Sequence, residues 1–486
     1  MTRPFVPPTP VRVDAAPDLT GKGVTIAFLD SGFFPHPDLL KPKNRILAHV
    51  DVSSDKIEDV PDQSPDPTDW HGTQTTVVSV GSGFSSDGLY PGIAKDAEVV
   101  LVKVGHNGVI DEPAIARALR WVLDHHERYG IRIVSVSLGG ENDVPYQQSE
   151  VNQLAREVVA RGMVVIVAAG NSGCTDDPRT VPPANSPAVI TVGGYVSYFE
   201  AGDMDVEMYC SNFGPTADGV LKPEVIAPAA WIAAPILPKT PAFKRAQALW
   251  DLAGLETAHL PKRAAVLAHD AELPKTLLKR PASAIRDFIS ETLVKEKIVG
   301  PSHQHVDGTS FAAPIVSSIV AQMLEVAPQL TPPAIKAILI SSADRVPSVS
   351  LLRQGYGVVN AKRAVELARS GRFNHDIRSF LPPRMEGDEL VFFYHDDQAR
   401  TVSLMGDFND WKPLINEFRR DGNGVWRAKI PKLAPGKHRY KFLVDGHRWV
   451  EDPSNGLKEP DGHEGFNSIL NVVPDCDPDT GICVVG

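Results

Sequence analysis

Apolar positions along this chain fall into two regimes. From Val24 to about residue 192, short and nearly continuous apolar runs recur at 24–29, 98–104, 132–138, 163–169 and 188–192. A strand covered on both faces reads this way, because neither side-chain direction meets water. Between the runs, residues 112–129 (Ile115, Leu119, Val122, Leu123) and 151–161 place apolar residues three and four apart, the period of a helix with one buried face. Strands alternating with helices predict an α/β fold built on a doubly wound parallel sheet. Residues 311–326 are apolar on nearly every side and predict a buried helix opened by Gly308-Thr309-Ser310. Pro314 is expected in its first turn, where proline breaks no hydrogen bond. Residues 332–342 and 361–369 predict two more helices.

Beyond residue 386 the pattern changes to short runs at 390–394, 401–404, 425–430, 438–444 and 468–472. Turn-forming residues at 421–424, 434–437 and 445–446 separate some of them, which predicts a small all-β sandwich. The chain therefore divides into an N-terminal extension (1–22), an α/β domain (23–370), a linker (371–386), a sandwich (387–475) and a tail (476–486). The α/β pattern breaks at about 236–302, where helix-compatible stretches 242–255 and 282–296 mark an insertion with structure of its own. It is either a surface decoration or a lid or docking platform leading into Ser310. His303 and His305, at its end, read as loop histidines rather than a metal pair.

Composition narrows the partners. A formal charge of -11 over 486 residues, with no basic tract, argues against nucleic acid as a main partner. The start, Met1–Pro8, has no charged segment followed by an apolar one, so cytoplasmic residence is the default expectation and unconventional export the other route. No uninterrupted apolar stretch approaches membrane-spanning length, and no membrane partner is expected. Cys174 and Cys210 read as ordinary thiols, whereas Cys476 and Cys483 flank a turn-rich segment and would pair in an oxidising compartment.

Chemistry concentrates at three places. Asp30 ends an apolar run, His71 opens a helix-like stretch in Asp69-Trp70-His71-Gly72-Thr73, and Ser310 stands at a helix N-terminus. An acid, a base and a hydroxyl, the last where unpaired N–H groups favour negative charge, suit nucleophilic catalysis that generates an oxyanion. With Ser137-Leu138-Gly139-Gly140 and Ala168-Ala169-Gly170-Asn171, these segments resemble the successive motifs of the subtilisin-like serine proteases, in the order Asp…His…Ser. The resemblance covers roughly residues 22–235 and 303–370.

It implies peptide-bond hydrolysis through an acyl-enzyme. Ser310 would be the nucleophile, His71 its base, Asp30 the group orienting His71, and Asn171 an oxyanion donor beside the Ser310 N–H. Ser137, Leu138 and Gly139 on one side, and Ala168, Ala169 and Gly170 on the other, would pair with an extended protein or peptide substrate. No cofactor is required and no metal ligand is assigned; structural calcium is common in the family, but no ligand set maps onto this sequence. Where the family more often has a second histidine and then small residues, this chain has Gln74-Thr75-Thr76. A pro-domain of the family's kind is not visible, so restraint would fall to an inhibitor protein, to residues 1–22 or to the insertion. A catalytically silent protease-fold scaffold that binds glucan or protein is the alternative.

The C-terminal wording is equally distinctive: 405–411 (Met-Gly-Asp-Phe-Asn-Asp-Trp), 433–436 (Leu-Ala-Pro-Gly), 440–446 (Tyr-Lys-Phe-Leu-Val-Asp-Gly), then Trp449 and Asp452-Pro453. It resembles the glycogen-binding module of kinase β-subunits and the early-set domains of starch-debranching enzymes. That resemblance implies an α-glucan site in which Trp411 and Trp449 stack on sugar rings while Lys441 and Asn467 bond hydroxyls. His447-Arg448, one residue longer before Trp449, and His463, where a leucine usually inserts into the glucan, depart from it. A domain used for packing or protein contacts is the other reading.

Overall fold

The computed structural model describes residues 6–472, apart from 55, 61–64, 107, 141–143, 147, 176–177, 201–202, 218–219, 347–348, 372–382, 387–388, 397, 421–424, 456 and 464. Cys476 and Cys483, the turn at 421–424 and most of the expected linker lie outside the described residues.

The first large sheet contains β1 (Thr25–Asp30), β2 (Ile46–Asp51), β3 (Glu58–Asp59), β4 (Glu98–Lys103), β5 (Ile131–Val136), β6 (Val164–Ala168), β7 (Ile190–Glu200), β8 (Asp203–Met208) and β9 (Val225–Pro228). Their order is β9-β7-β6-β5-β1-β4-β2-β3, with β8 on the edge of β7. The pairs from β9 through β2 are parallel, and β3 and β8 add antiparallel edges. Every residue of β1 and β6 is buried, as their unbroken apolar runs predict.

One face of the sheet packs on α1 (Trp70–Val80) and the other on α2 (Glu112–Tyr129) and α3 (Glu150–Ala160). On the α1 face also lie α7 (Thr309–Val326), α8 (Pro332–Ser342) and α9 (Ala361–Ser370). α7 is long and apolar enough to cross a membrane, but 83% of its apolar window is buried in this core.

A chain of buried hydroxyls fixes α1 against α7 and the sheet. Ser79 Oγ lies 2.7 Å from Ser318 Oγ, and Ser317 Oγ donates to Ser135 Oγ on β5 at 3.0 Å. Residues 8–21 strap the back of this layer. The buried Arg12 guanidinium donates to the carbonyls of Ala230 and Trp231 and to Ser197 Oγ, and Gln322 Nε2 donates to the carbonyls of Ala16 and Leu19. The extension thus grips the distal end of α7, three turns beyond Ser310.

The inserted segment holds α4 (Pro241–Gly254), α5 (Leu260–Leu267) and α6 (Ala282–Lys295) around a core of its own, including Leu249, Leu252, Leu260, Ile285 and Ile289. Its stalk is an antiparallel pair, β10 (Ile232–Pro235) with β11 (His303–Val306). His303 and His305 therefore belong to a strand rather than a loop, because each end of the insertion needs a backbone partner to close it.

The C-terminal part consists of two antiparallel sheets: β12 (Arg384–Glu386), β13 (Glu389–His395), β15 (Arg419–Arg420) and β16 (Val425–Pro431) in one, β14 (Val402–Gly406), β17 (Gly436–Val444), β18 (Arg448–Val450), β19 (Lys458–Pro460) and β20 (Phe466–Val472) in the other. Phe392, Tyr394, Leu404, Trp426, Tyr440 and Phe442 fill the space between them. An antiparallel bridge between Val220 and Asn455 joins the two parts.

Candidate active site and carbohydrate face

Asp30 is the last residue of β1, at the carboxyl edge of the sheet, and is 1% exposed. Its Oδ1 accepts the Ser31 N–H at 2.6 Å and lies 2.6 Å from His71 Nδ1. A carboxylate only accepts, so Nδ1 carries the proton and, in the neutral ring, Nε2 keeps its lone pair. His71 reaches Asp30 because α1 starts almost in contact with β1. A Cβ on Gly72 would stand 2.2 Å from the Gly32 carbonyl oxygen and 2.9 Å from the Asp30 Cβ, so only glycine permits that approach. The imidazole packs edge-on to Trp70 and against Phe311, the residue after Ser310, at ring separations of 5.2 and 5.8 Å. Burial works to lower its pKa, but the Asp30 charge and hydrogen bond outweigh burial, and His71 lies above its ordinary 6.5.

Ser310 is the second residue of α7, behind Gly308, whose φ of +142° favours glycine. The expectation for Pro314 needs correction: α7 begins at Thr309, so Pro314 is its sixth residue and lies inside the helix. Having no N–H, it leaves the Ser310 carbonyl without its helical donor. Ser137 Oγ fills that place at 2.9 Å, tying the first turn of α7 to the end of β5.

Asn171 follows β6. Its Oδ1 accepts the Thr309 N–H at 2.9 Å and the Thr309 hydroxyl at 3.1 Å. Those donors identify the oxygen end, leaving the amide N–H groups on the Gly308 side, 3.7 Å from where a Gly308 Cβ would be. Asn212 secures the turn, donating its N–H to the Gly170 carbonyl and accepting the Ser172 N–H. A Cys174–Cys210 disulfide closes the same loop, which corrects the reading of both as ordinary thiols. The 36 residues between them conceal a proximity created by the β6–β7–β8 pairing.

Ser137, Leu138 and Gly139 continue β5, and Ala168, Ala169 and Gly170 end or continue β6. Because β5 and β6 are neighbours, the two segments run side by side near Ser310. Asp30, His71, Asn171 and these six residues thus gather around the N-terminus of α7. Among the residues not singled out, Thr75 and Asn212 also belong to this constellation; Thr75 was visible only as a departure from the family's wording.

On the sandwich, Trp411 and Trp449 stand 6.3 Å apart with their planes at 52°, and Trp449 is 51% exposed. Leu443 pairs with Trp449 across β17 and β18, and Lys441 lies two residues away on the same face. Lys441 is ion-paired with Asp461, a partner not evident from sequence, and this hydrogen bond holds the Asp461 carboxyl well below its usual range. Asn467 is opposite Glu459 and one step from the Tyr440–Ser468 pair, on the strand beside Lys441. The four residues share one region.

The comparisons agree with both halves. Residues 21–357 match the Subtilase family, and residues 381–460 match Carbohydrate-binding module 48 (Isoamylase N-terminal domain). The Serine protease AprX of Bacillus subtilis (strain 168) is 32% identical over 358 residues, covering 71% of this chain and 67% of that protein. Subtilisin-like protease 1 of Trichophyton equinum is 31% identical over 203 residues, 41% of this chain and 34% of its own length. Among solved structures, Sphericase shares the fold with a TM-score of 0.51 at 19% identity, over 72% of this chain and 96% of its own. The chain belongs to the subtilase family: it is a subtilisin-like serine endopeptidase with a carbohydrate-binding module 48 domain in its C-terminal part.

Proposed function

We propose that Ser310 attacks the carbonyl of a scissile peptide bond in an extended polypeptide, with His71 taking the Ser310 proton and returning it to the leaving amine. Asp30 keeps the imidazole in the reactive tautomer and stabilises it when charged. The Asn171 amide and the Ser310 N–H stabilise the tetrahedral oxyanion, and water repeats the sequence on the acyl-enzyme. The carrying observation is the conjunction at one helix end: the Asp30–His71 hydrogen bond, Ser310 in the first turn of α7, and Asn171 held by Thr309 with its N–H groups unspent among the described residues. Substrate lies between 137–139 and 168–170, whose small residues leave backbone free for strand pairing.

The C-terminal domain holds α-glucan on Trp411 and Trp449, bringing the protease to a glucan-associated population of substrates. The inserted helices are the element best placed to control Ser310. Their stalk runs through Asp307 directly into Gly308-Thr309-Ser310, and Gln74 on the His71 helix donates to the Pro235 carbonyl at the stalk's other strand.

Proteome-wide cleavage profiling of wild type against Ser310→Ala tests the proposal. New termini should appear with wild type alone; a shared set of cleavages would refute it. A variant joining Pro235 to His303 by a short turn tests the control element, with an altered rate of cleavage expected.

A further inference from the structure

The segment Gln74-Thr75-Thr76, where this chain leaves the family's wording, meets the acid of the site. Asp30 has two carboxylate oxygens to satisfy in a nearly water-free position. Its Oδ1 has two donors, the Ser31 N–H and His71 Nδ1, while Oδ2 accepts the Thr75 hydroxyl at 2.9 Å. Thr75 is 1% exposed and stands four residues after His71, one turn along the same face of α1. One helix therefore carries both the base and a donor to the acid.

The ordinary behaviour of a helical threonine is to bond back to the carbonyl four residues earlier. Thr73 does so with Asp69 at 2.6 Å, and Thr76 with Gly72 at 2.8 Å. Thr75 is different. Its alternative acceptor, the Gly72 carbonyl at 3.1 Å, is already served by Thr76, and a hydroxyl with one proton favours the nearer, charged oxygen.

We propose that Thr75 is a positioning residue for peptide hydrolysis, its hydroxyl locking the Asp30 carboxylate so that His71 stays aligned with Ser310. The inference rests on the catalytic reading above. Without the Thr75 donor, the carboxylate is anchored through Oδ1 alone and can turn, carrying the imidazole with it. Removing the donor also leaves the Asp30 charge less neutralised, so that it holds the imidazolium more firmly. Among the described residues, Asp30 is the charged group bonded to His71; Trp70 and Phe311 form the ring's aromatic flanks, and Asp69 stands at the N-cap position of α1 without a side-chain capping bond.

Steady-state cleavage of a peptide by wild type, Thr75→Val, Thr75→Ser, Thr76→Val and Ser310→Ala tests this, with unfolding temperature recorded for each and Thr75→Ala replacing the valine variant if that fails to fold. Thr75→Val should lose about tenfold or more in kcat, the scale of a hydrogen bond to a charge, with KM nearly unchanged and the acid limb of kcat/KM moved upward. Thr75→Ser should return within about twofold of wild type, and Thr76→Val, which loses an ordinary helix-back bond, should resemble wild type. Equal kinetics and an unmoved acid limb in Thr75→Val and Thr76→Val would overturn the inference. If Ser310→Ala is inactive in that case, only the role of Thr75 fails; if Ser310→Ala still cleaves, the catalytic reading itself fails.

Discussion

Opening the Cys174–Cys210 bond should damage turnover before it damages substrate binding. Cys174 is exposed and three residues beyond Asn171; Cys210 is two residues before Asn212, which holds Gly170 and Ser172 on either side of Asn171. The bond closes a loop across a sequence separation of 36 residues. Loop-closure entropy for that length is about 4 kcal/mol, an upper value because the opened chain keeps residual order. At about 2.1 cal/mol/K of unfolding entropy per residue over roughly 350 residues, the loss is a fall of about 5 °C in Tm. In the proposed mechanism the ceiling is full loss of the Asn171 amide, for which subtilisin itself supplies the range of about 10²–10³ in turnover. Asn212 remains in place, so a smaller fall in kcat is expected, at least about threefold, with KM little changed. Peptide hydrolysis and thermal unfolding of the Cys174→Ala/Cys210→Ala variant measure both effects. Unchanged Tm and kcat would refute the claim that this crosslink braces the Asn171 turn.

Three further outcomes follow from other parts of the molecule. In the proposed mechanism a protonated His71 cannot accept the Ser310 proton, and its pKa is raised, so kcat/KM should fall as pH drops through a midpoint above 6.5; a midpoint well below 6.5 would contradict the Asp30–His71 pairing. Trp449→Ala should weaken retention on glycogen or amylose in affinity electrophoresis by about two- to tenfold, the scale of one lost aromatic contact, while leaving peptide hydrolysis at the wild-type rate. Glu224 is buried between Lys222 and Lys336 and accepts from both, so Glu224→Gln removes the counter-charge of two lysines that keep only backbone carbonyls as acceptors; because burial already lowers the Lys222 pKa to about 7, the cost by denaturant unfolding should be at most about 3–5 kcal/mol.

The core of the fold was legible because parallel strands covered on both sides write themselves as apolar runs. Residues 24–29 and 163–169 fall within one residue of β1 and β6, and α2 spans 112–129 as its periodicity predicts. Asp30, His71, Asn171 and Ser310, the residues of the proposed mechanism, could be singled out because each lies within three residues of the end of a strand or helix, with a glycine one or two positions away. Features created by long-range pairing were not. Cys174 and Cys210 meet because β7 turns back into β8, Arg12 is buried because residues 8–21 strap β7 and α7, and Lys441 is engaged by Asp461 from the turn after β19. Pro314 was misplaced for a related reason. A serine just past the end of β5, far away in sequence, donates to the carbonyl that proline leaves open.

Labelling with a fluorophosphonate, followed by mass spectrometric location of the adduct, addresses the central claim most directly. A single phosphonylated residue, Ser310, is expected in wild type, with sharply reduced labelling in His71→Ala and none in Ser310→Ala. An adduct on another residue, or undiminished labelling of Ser310→Ala, would contradict it.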